Sequence, residues 1–140
     1  MADTGYNWGS WTAMPITDGG DGVWTGDALA DNGTATGDAV SLDVIAACEV
    51  GVASYEDDTG AIDGVVTVYV LGTADGTNYE TTTTASFSFT FTPVRSTTVY
   101  KRFSIDPKHF GSFKVAIKNE GGQELAMTVK YRTATVPVAS

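Results

Sequence analysis

The first 94 residues of this 140-residue chain contain neither lysine nor arginine, and all eight basic residues fall in the last 46. Fourteen of the 17 acidic residues lie in the first 94, so the two portions carry formal charges of −14 and +5. Charge segregated in this way can steer association with a complementary surface or with a second copy of the chain. The net charge of −9 argues against nucleic acid as a partner, because neutralising phosphates requires a positive surface.

Cysteine and long hydrophobic runs are scarce as well. Cys48 is the only cysteine, so no intramolecular disulfide can form, and stability must come from packing, association or a bound ion. No apolar run approaches the roughly 20 residues of a membrane span. Residues 1–5 also lack the basic and apolar regions of a signal peptide. We therefore expect no membrane partner and no export processing.

The chain has little histidine or cysteine, two residue types that enzymes commonly use as bases or nucleophiles. His109 is the only histidine, and neither it nor Cys48 stands beside a recognisable partner in the sequence. The sequence contains no nucleophile-elbow motif, phosphate loop or paired His or Cys metal ligands. These absences favour a protein that is not an enzyme and that uses no cofactor.

An Asp/Gly-rich stretch gives weak candidates for a Ca²⁺ site. Asp18, Asp21 and Asp27 offer oxygen ligands on a backbone rich in glycine, which is the chemistry that Ca²⁺ prefers. The spacing matches neither an EF-hand loop nor the calcium-binding nonapeptide repeat. Solvated turns are the favoured interpretation, so no metal is predicted.

Alternation of apolar and polar residues predicts β-strands in the second half of the chain. The stretches 113–118 and 125–132 each alternate with period two, and the turn residues 119–123 separate them. They are interpreted as a β-hairpin whose apolar face enters the core. Four cations are then expected together on the opposite face. These are Lys114, Lys118, Lys130 and Arg132.

Other segments complete an all-β pattern. Residues 65–71 are apolar at both parities, which is typical of a central strand. Residues 87–91 alternate and are expected to form a meander with that strand, and residues 106–110 are predicted to form one short helical turn. Further strands are predicted at 11–16, 40–44, 50–55 and 97–105. About eight short strands indicate a β-sandwich, jelly-roll-like in topology.

The chain divides into one domain with two extensions. Residues 39–133 are predicted to form the sandwich, and residues 134–140 an extended C-terminal tail. Residues 1–38 are interpreted as an N-terminal arm or long loop with a possible first strand. The tryptophans of this stretch favour packing against a surface, because aromatic side chains in a polar segment need one.

Four segments carry a resemblance to a known class of proteins. Val68 to Tyr79, Phe103 to Pro107, Phe113 to Asn119 and Val129 to Pro137 resemble small β-rich virion proteins of tailed bacteriophages. The resemblance implies a non-enzymatic structural role, most simply as a capsid decoration or cement protein on the outer capsid surface. It further implies synthesis in the host cytoplasm without a signal peptide.

The implied partners are the capsid protein and further copies of the chain, with a trimer as the expected assembly. A basic sheet face could sit on an acidic capsid surface, and aromatic residues of the arm could pack on a neighbour. The predicted partner-binding residues are Lys114, Lys118, Lys130, Arg132, Trp8 and Trp11.

Two alternatives remain open at this point. A carbohydrate-binding β-sandwich would stack sugar rings on exposed aromatic side chains and would act as a monomer. Its candidates are Trp8, Trp11, Trp24, Tyr55 and Tyr79. A subunit of a phage tail or fibre would instead form stacked rings or trimers.

Overall fold

The structure, a computed structural model, describes residues 7–14, 25–42, 45–55, 64–94, 97–107 and 110–135. These parts of the chain are all-β and contain no helix. The strands are β1 (Asn7–Trp8), β2 (Thr12–Ala13), β3 (Thr25–Leu29), β4 (Thr34–Thr36), β5 (Val40–Ser41), β6 (Ala47–Tyr55), β7 (Val65–Gly72), β8 (Phe87–Phe91), β9 (Val99–Ile105), β10 (Ser112–Glu120) and β11 (Leu125–Thr135).

A six-stranded antiparallel sheet is built around β11, the longest strand. β6 pairs with one edge of β11, and β9 pairs in turn with β6. β1, β2 and β3 follow one another along the other edge of β11, from Thr135 to Leu125. Three short N-terminal strands therefore occupy the edge that a single long strand would otherwise fill.

A five-stranded antiparallel sheet is built around β10 and β7. Its strands run in the order β4, β10, β7, β8, and β5 pairs with the start of β10. β7 has a neighbour on each side, which confirms the prediction that residues 65–71 form a central strand. β7 and β8 are consecutive and paired, as the predicted meander requires.

One hydrophobic core lies between the two sheets and receives alternate residues of both. Val50, Val52 and Val129 come from the six-stranded sheet, and Val68 and Val115 from the five-stranded sheet; all five are fully buried. Burial of such side chains is worth about 1.5–3 kcal/mol each, which makes this core the main source of stability. The period-two pattern read from the sequence is the cause of this arrangement.

The predicted hairpin between residues 113–118 and 125–132 is wrong. β10 pairs with β4, β5 and β7, whereas β11 pairs with β6 and the N-terminal strands. The short connection between them crosses from one sheet to the other. Each strand finds its neighbours among residues distant in the chain, and alternation alone cannot distinguish that pairing from a local hairpin.

Asn119 ties this crossing to the β3–β4 turn. Its buried side-chain amide donates to the carbonyls of Leu29 (2.9 Å) and Gln123 (2.7 Å), and its Oδ1 accepts from the Gly121 amide at 2.9 Å. Its backbone also bonds to Asn32 and Gly33. Because a buried amide without partners is costly, the site specifies one conformation for both connections.

The described parts of residues 1–38 lie in the two sheets. Residues 7–14 and 25–29 line β11, and β4 lies on β10. Met14 is fully buried in the core, and its amide donates to the Val129 carbonyl at 2.9 Å. Of the predicted tail, Ala134 and Thr135 belong to β11, and residues 136–140 lie outside the described residues.

The remaining local predictions are met in part. The helical turn predicted at 106–110 lies partly outside the described residues, which omit 108–109; the Phe110 amide donates to the Asp106 carbonyl at 2.9 Å. Residues 40–44 contribute only Val40–Ser41 as strand, and 43–44 are outside the described part of the chain. Within the described ranges, no helix is long and apolar enough to span a membrane.

Candidate binding face

The six-stranded sheet turns one side away from the core, and that side carries an unusual set of residues. On β6, β9 and β11 it is formed by the positions that alternate with the buried valines. We call this surface the outer six-stranded face. On these three strands it comprises Glu49, Gly51, Ala53, Tyr55, Tyr100, Arg102, Ser104, Ala126, Thr128, Lys130 and Arg132.

Arg132 stands at the centre of a cluster on this face. Its guanidinium carbon lies 4.3 Å from the ring centroid of Trp8 and 4.9 Å from that of Trp11. Its Nε donates to Glu49 Oε1 at 2.8 Å, and its Nη2 pairs with the same oxygen. An arginine stacked on indole and held by a carboxylate loses little further freedom on binding, so the cluster is preorganised.

Glu49 joins a second arginine to the first. Its Oε2 lies 3.5 Å from Nε of Arg102, whose side chain is 56% exposed. We call Trp8, Trp11, Glu49, Arg102 and Arg132 the Arg132 cluster. Two guanidinium groups share one carboxylate, so the cluster keeps a net positive charge and can attract a further anion.

The strand pairing explains why these side chains meet. Arg132 pairs with Glu49 across β11 and β6, and cross-strand partners point to the same face. Trp8 pairs with Ala134, two residues along β11 from Arg132 and on the same side. β1 and β2 form the edge of this sheet beside β11. Trp8 of β1 and Trp11, just before β2, therefore lie against Arg132.

Outside the Arg132 cluster, the face carries small residues and two exposed tyrosines. A Cβ on Gly51 would overlap the Tyr100 hydroxyl and lie 2.9 Å from Tyr100 Cζ, so the missing side chain provides the space for that ring. Tyr100 is 54% exposed and Tyr55 is 40% exposed. Tyrosine is enriched at protein interfaces relative to the rest of the protein surface.

The opposite surface differs in composition. On the outer five-stranded face, the side chains that alternate with core residues are mostly hydroxyl-bearing, with two lysines. Lys118 lies 3.8 Å from Glu120, and Lys114 Nζ lies 4.6 Å from the ring centroid of Tyr79. The hydroxyl-bearing side chains are Thr34, Thr36, Ser41, Thr67, Tyr69, Ser88, Thr90 and Ser112.

The structure thus divides the predicted partner-binding residues. Lys130, Arg132, Trp8 and Trp11 belong to the outer six-stranded face, and the last three are in contact. Lys114 and Lys118 lie on the other sheet, so the expectation that four cations share one face is wrong. That expectation depended on pairing residues 113–118 with 125–132 as a hairpin, and β10 and β11 lie in different sheets.

Two shallow depressions flank the segment Tyr79–Glu80. One, of about 570 Å³, lies against Gly72, Ser86 and Phe110. The other, of about 440 Å³, separates this segment from the outer five-stranded face and is lined largely by threonine. Glu80 accepts from the Gly72 amide at 2.8 Å and from the Ser86 hydroxyl at 2.5 Å, so its carboxylate holds the loop together.

Asp75 organises the turn that precedes this segment. Its carboxylate accepts from the amides of Asn78 (2.8 Å) and Thr77 (2.9 Å), from the Asn78 side chain and from the Thr73 hydroxyl. These hydrogen bonds, led by those to the two backbone amides, hold the pKa of Asp75 well below its ordinary value. The side chain is fully exposed, so its contribution is to the local turn.

The candidates for metal binding and catalysis are distributed as follows. Asp18, Asp21, Trp24 and His109 lie outside the described residues, and Asp27 is on β3, opposite Met127. No group of three or more metal-binding side chains occurs within the described ranges. Cys48 is buried, and burial followed by the charge of Glu49 raises its pKa to about 12, so its thiol stays protonated and inert.

Sequence reasoning missed Glu49, Gly51, Tyr100 and Arg102 as members of the binding face. Their signal exists only in the register of β6 with β9 and β11, which places distant residues side by side. Comparison of the chain with protein-family models and with curated proteins found no match.

Proposed function

We propose that this chain is a non-enzymatic virion structural protein that decorates the outer surface of a capsid and stabilises the shell. It docks through the outer six-stranded face onto an acidic capsid surface. The observation that carries this proposal is the Arg132 cluster, in which two tryptophans pack on Arg132 and one carboxylate joins Arg132 to Arg102.

The composition of this face supports docking. Tryptophan, tyrosine and arginine dominate the residues that contribute most to protein interfaces, and the fully buried parts of interfaces are poor in other charged residues. On β6, β9 and β11 the face carries Arg102, Lys130 and Arg132 against Glu49 alone. A partner rich in carboxylates would gain charge-assisted hydrogen bonds from Arg102 and Lys130 while closing over the indole rings.

We also propose that the fold is a jelly roll. Leaving out β1, β2 and β5, eight strands remain, four in each sheet, in the orders β3-β11-β6-β9 and β4-β10-β7-β8. Each connection between successive strands of this set changes sheet, except the one from β7 to β8. This connectivity is what two Greek keys folded face to face require, and such domains recur among capsid proteins.

Occupancy of the virion tests the proposal. Purified particles of the phage that encodes the chain should contain it in a fixed ratio to the major capsid protein, and antibody labelling should place it on the head. Labelling of tails would instead favour the tail or fibre subunit. Absence from the particle would contradict both.

The carbohydrate-binding alternative rests on the threonine-lined groove of about 440 Å³ beside Tyr79. Hydroxyl and amide groups around an aromatic ring are the groups that bind sugars. Saturable binding of a glycan by the isolated protein, lost in Tyr79→Ala but retained in Trp8→Ala, would support this function. Binding lost in Trp8→Ala would move the glycan to the outer six-stranded face.

A further inference from the structure

In the described part of the chain, the edges of the two sheets are not equally protected against pairing with another chain. The edge beside β11 is divided among β1, β2 and β3, and the edge beside β10 is formed by the short strands β4 and β5. β9 carries Lys101 and Arg102; Lys101 is opposite the buried Val52, a charge at a core-side position of an edge strand. Short strands and such charges discourage edge-to-edge pairing.

β8 has none of these protections. It pairs with β7 alone within the described residues, and its sequence, Phe87 to Phe91, contains no charge, proline or glycine. Phe87 is 42% exposed, and Ser88 and Thr90 are exposed on the outer side. An exposed, uncharged strand of alternating aromatic and hydroxyl residues is a template for adding another strand.

The strand is also self-complementary. Its sequence, Phe-Ser-Phe-Thr-Phe, is nearly palindromic about Phe89. Antiparallel pairing of two copies about a two-fold axis at Phe89 sets Phe87 opposite the second copy's Phe91, and Ser88 opposite its Thr90. Aromatic pairs and Ser–Thr pairs directly opposite each other are favourable, and a two-fold contact requires this kind of self-complementarity.

Charge favours this edge over the others for self-association. Each copy carries a net charge of −9, so two copies repel overall, and a contact between uncharged strands adds no like-charge pair to that repulsion. β8 brings no charge to the contact, whereas β9 would oppose cations to cations. On the core side, Phe87 and Phe89 already pack on Phe103, with centroids 6.1 and 5.1 Å apart, so the aromatic row is fixed before association.

We propose that two copies of this chain associate through β8, forming one continuous ten-stranded sheet across a two-fold axis. This surface is separate from the outer six-stranded face, so the inference does not depend on the capsid role. It proposes a dimer in place of the trimer that the resemblance to phage virion proteins implies.

The mass of the full chain in solution, measured by sedimentation equilibrium in high salt, tests the proposal. We expect a monomer–dimer equilibrium. In the variant Ser88→Lys/Thr90→Lys, two lysine pairs would oppose each other across the axis, and the dissociation constant should rise about tenfold or more. The matched control Thr34→Lys/Thr36→Lys adds the same charge to the same sheet at its far edge and should leave the constant unchanged.

Disulfide trapping tests the register. Mixing Ser88→Cys with Thr90→Cys copies under mild oxidation should give cross-linked heterodimers in excess of the homodimers formed by either variant alone, while buried Cys48 stays free. A monomer at every concentration, a trimer, equal weakening by both lysine variants, or no preference for the mixed cross-link would each overturn the proposal. Circular dichroism of each variant is the control that it is folded.

Discussion

The two outer sheet faces of this protein carry lysine or arginine in similar number but differ in what surrounds those cations. On the outer six-stranded face, arginine is stacked on indole, shares a carboxylate and lies near exposed tyrosine. On the outer five-stranded face, two lysines stand among hydroxyl groups. The two faces therefore differ more in the packing around their cations than in the number of those cations.

The difference has a structural origin in the N-terminal strands. β1 and β2 complete the edge of the six-stranded sheet and place Trp8 and Trp11 against Arg132. The five-stranded sheet is completed by β4 and β5, which contribute threonine and serine to its outer side or rim. Residues 1–94, which contain no lysine or arginine, thus supply both tryptophans of the Arg132 cluster.

The largest difference is expected for the removal of one cation from each face. Arg132→Ala removes two ring contacts and the hydrogen bonds to Glu49, and should lower the free energy of unfolding by about 2 kcal/mol. Lys118→Ala removes an exposed ion pair and should cost less than about 0.5 kcal/mol. Urea denaturation of both variants measures the two costs. Equal costs would remove the distinction between the faces.

A pair of double-mutant cycles sharpens the same comparison. Trp8→Leu and Arg132→Met should show a coupling energy of about 1 kcal/mol, since arginine on tryptophan is the stronger cation–π pair. Tyr79→Leu and Lys114→Met should couple by about 0.5 kcal/mol or less. Denaturant unfolding of the single and double variants gives both values. A larger coupling for the tyrosine pair would contradict the account.

Gly51→Ala should separate stability from docking. The new Cβ displaces the Tyr100 ring, which is exposed and can move, so the free energy of unfolding should change by only about 0.5 kcal/mol. Binding to capsid particles should weaken as it does in Tyr100→Ala, because both changes remove the ring from the face. Unchanged binding in both variants would exclude Tyr100 from the contact.

The smallest effect concerns the turn beside the five-stranded sheet. The hydrogen bonds to Asp75 lower its pKa, so their stabilising contribution is present above its ordinary value of 3.8 and is lost as the pH falls toward the lowered pKa. Amide resonances of Thr77 and Asn78 should therefore shift only in strong acid. In Asp75→Asn this shift should disappear. A transition near the ordinary carboxyl value would show that the turn does not hold the carboxylate.

Much of the fold could be predicted from the sequence, because alternation depends only on neighbouring residues. The strand at 113–118, and which of its residues enter the core, followed from that rule, whereas the strand at 65–71 was predicted from its run of apolar residues. The pairing of the strands could not be predicted from alternation. β10 and β11 looked like a hairpin, yet they lie in different sheets, joined through the buried Asn119 and its bonds to the β3–β4 turn.

The binding face was predictable only in its parts. Trp8, Trp11 and Arg132 stood out by residue type, but the sequence grouped Arg132 with Lys114 and Lys118. Glu49 was not predicted as a member of the site, although its pairing with Arg132 and its ion pair with Arg102 hold the cluster together. A site assembled from four strands is determined by long-range register, which no local pattern contains.

The proposed function requires that the outer six-stranded face, and not the outer five-stranded face, bind the capsid. Co-sedimentation with particles of the encoding phage stripped of this protein compares two variants with the same change of charge, Arg102→Gln/Lys130→Gln and Lys114→Gln/Lys118→Gln. We expect the first variant to bind about tenfold more weakly and with a flatter salt dependence, and the second to bind like the wild type. Equal loss in both, or loss only in the second, would contradict the proposed function.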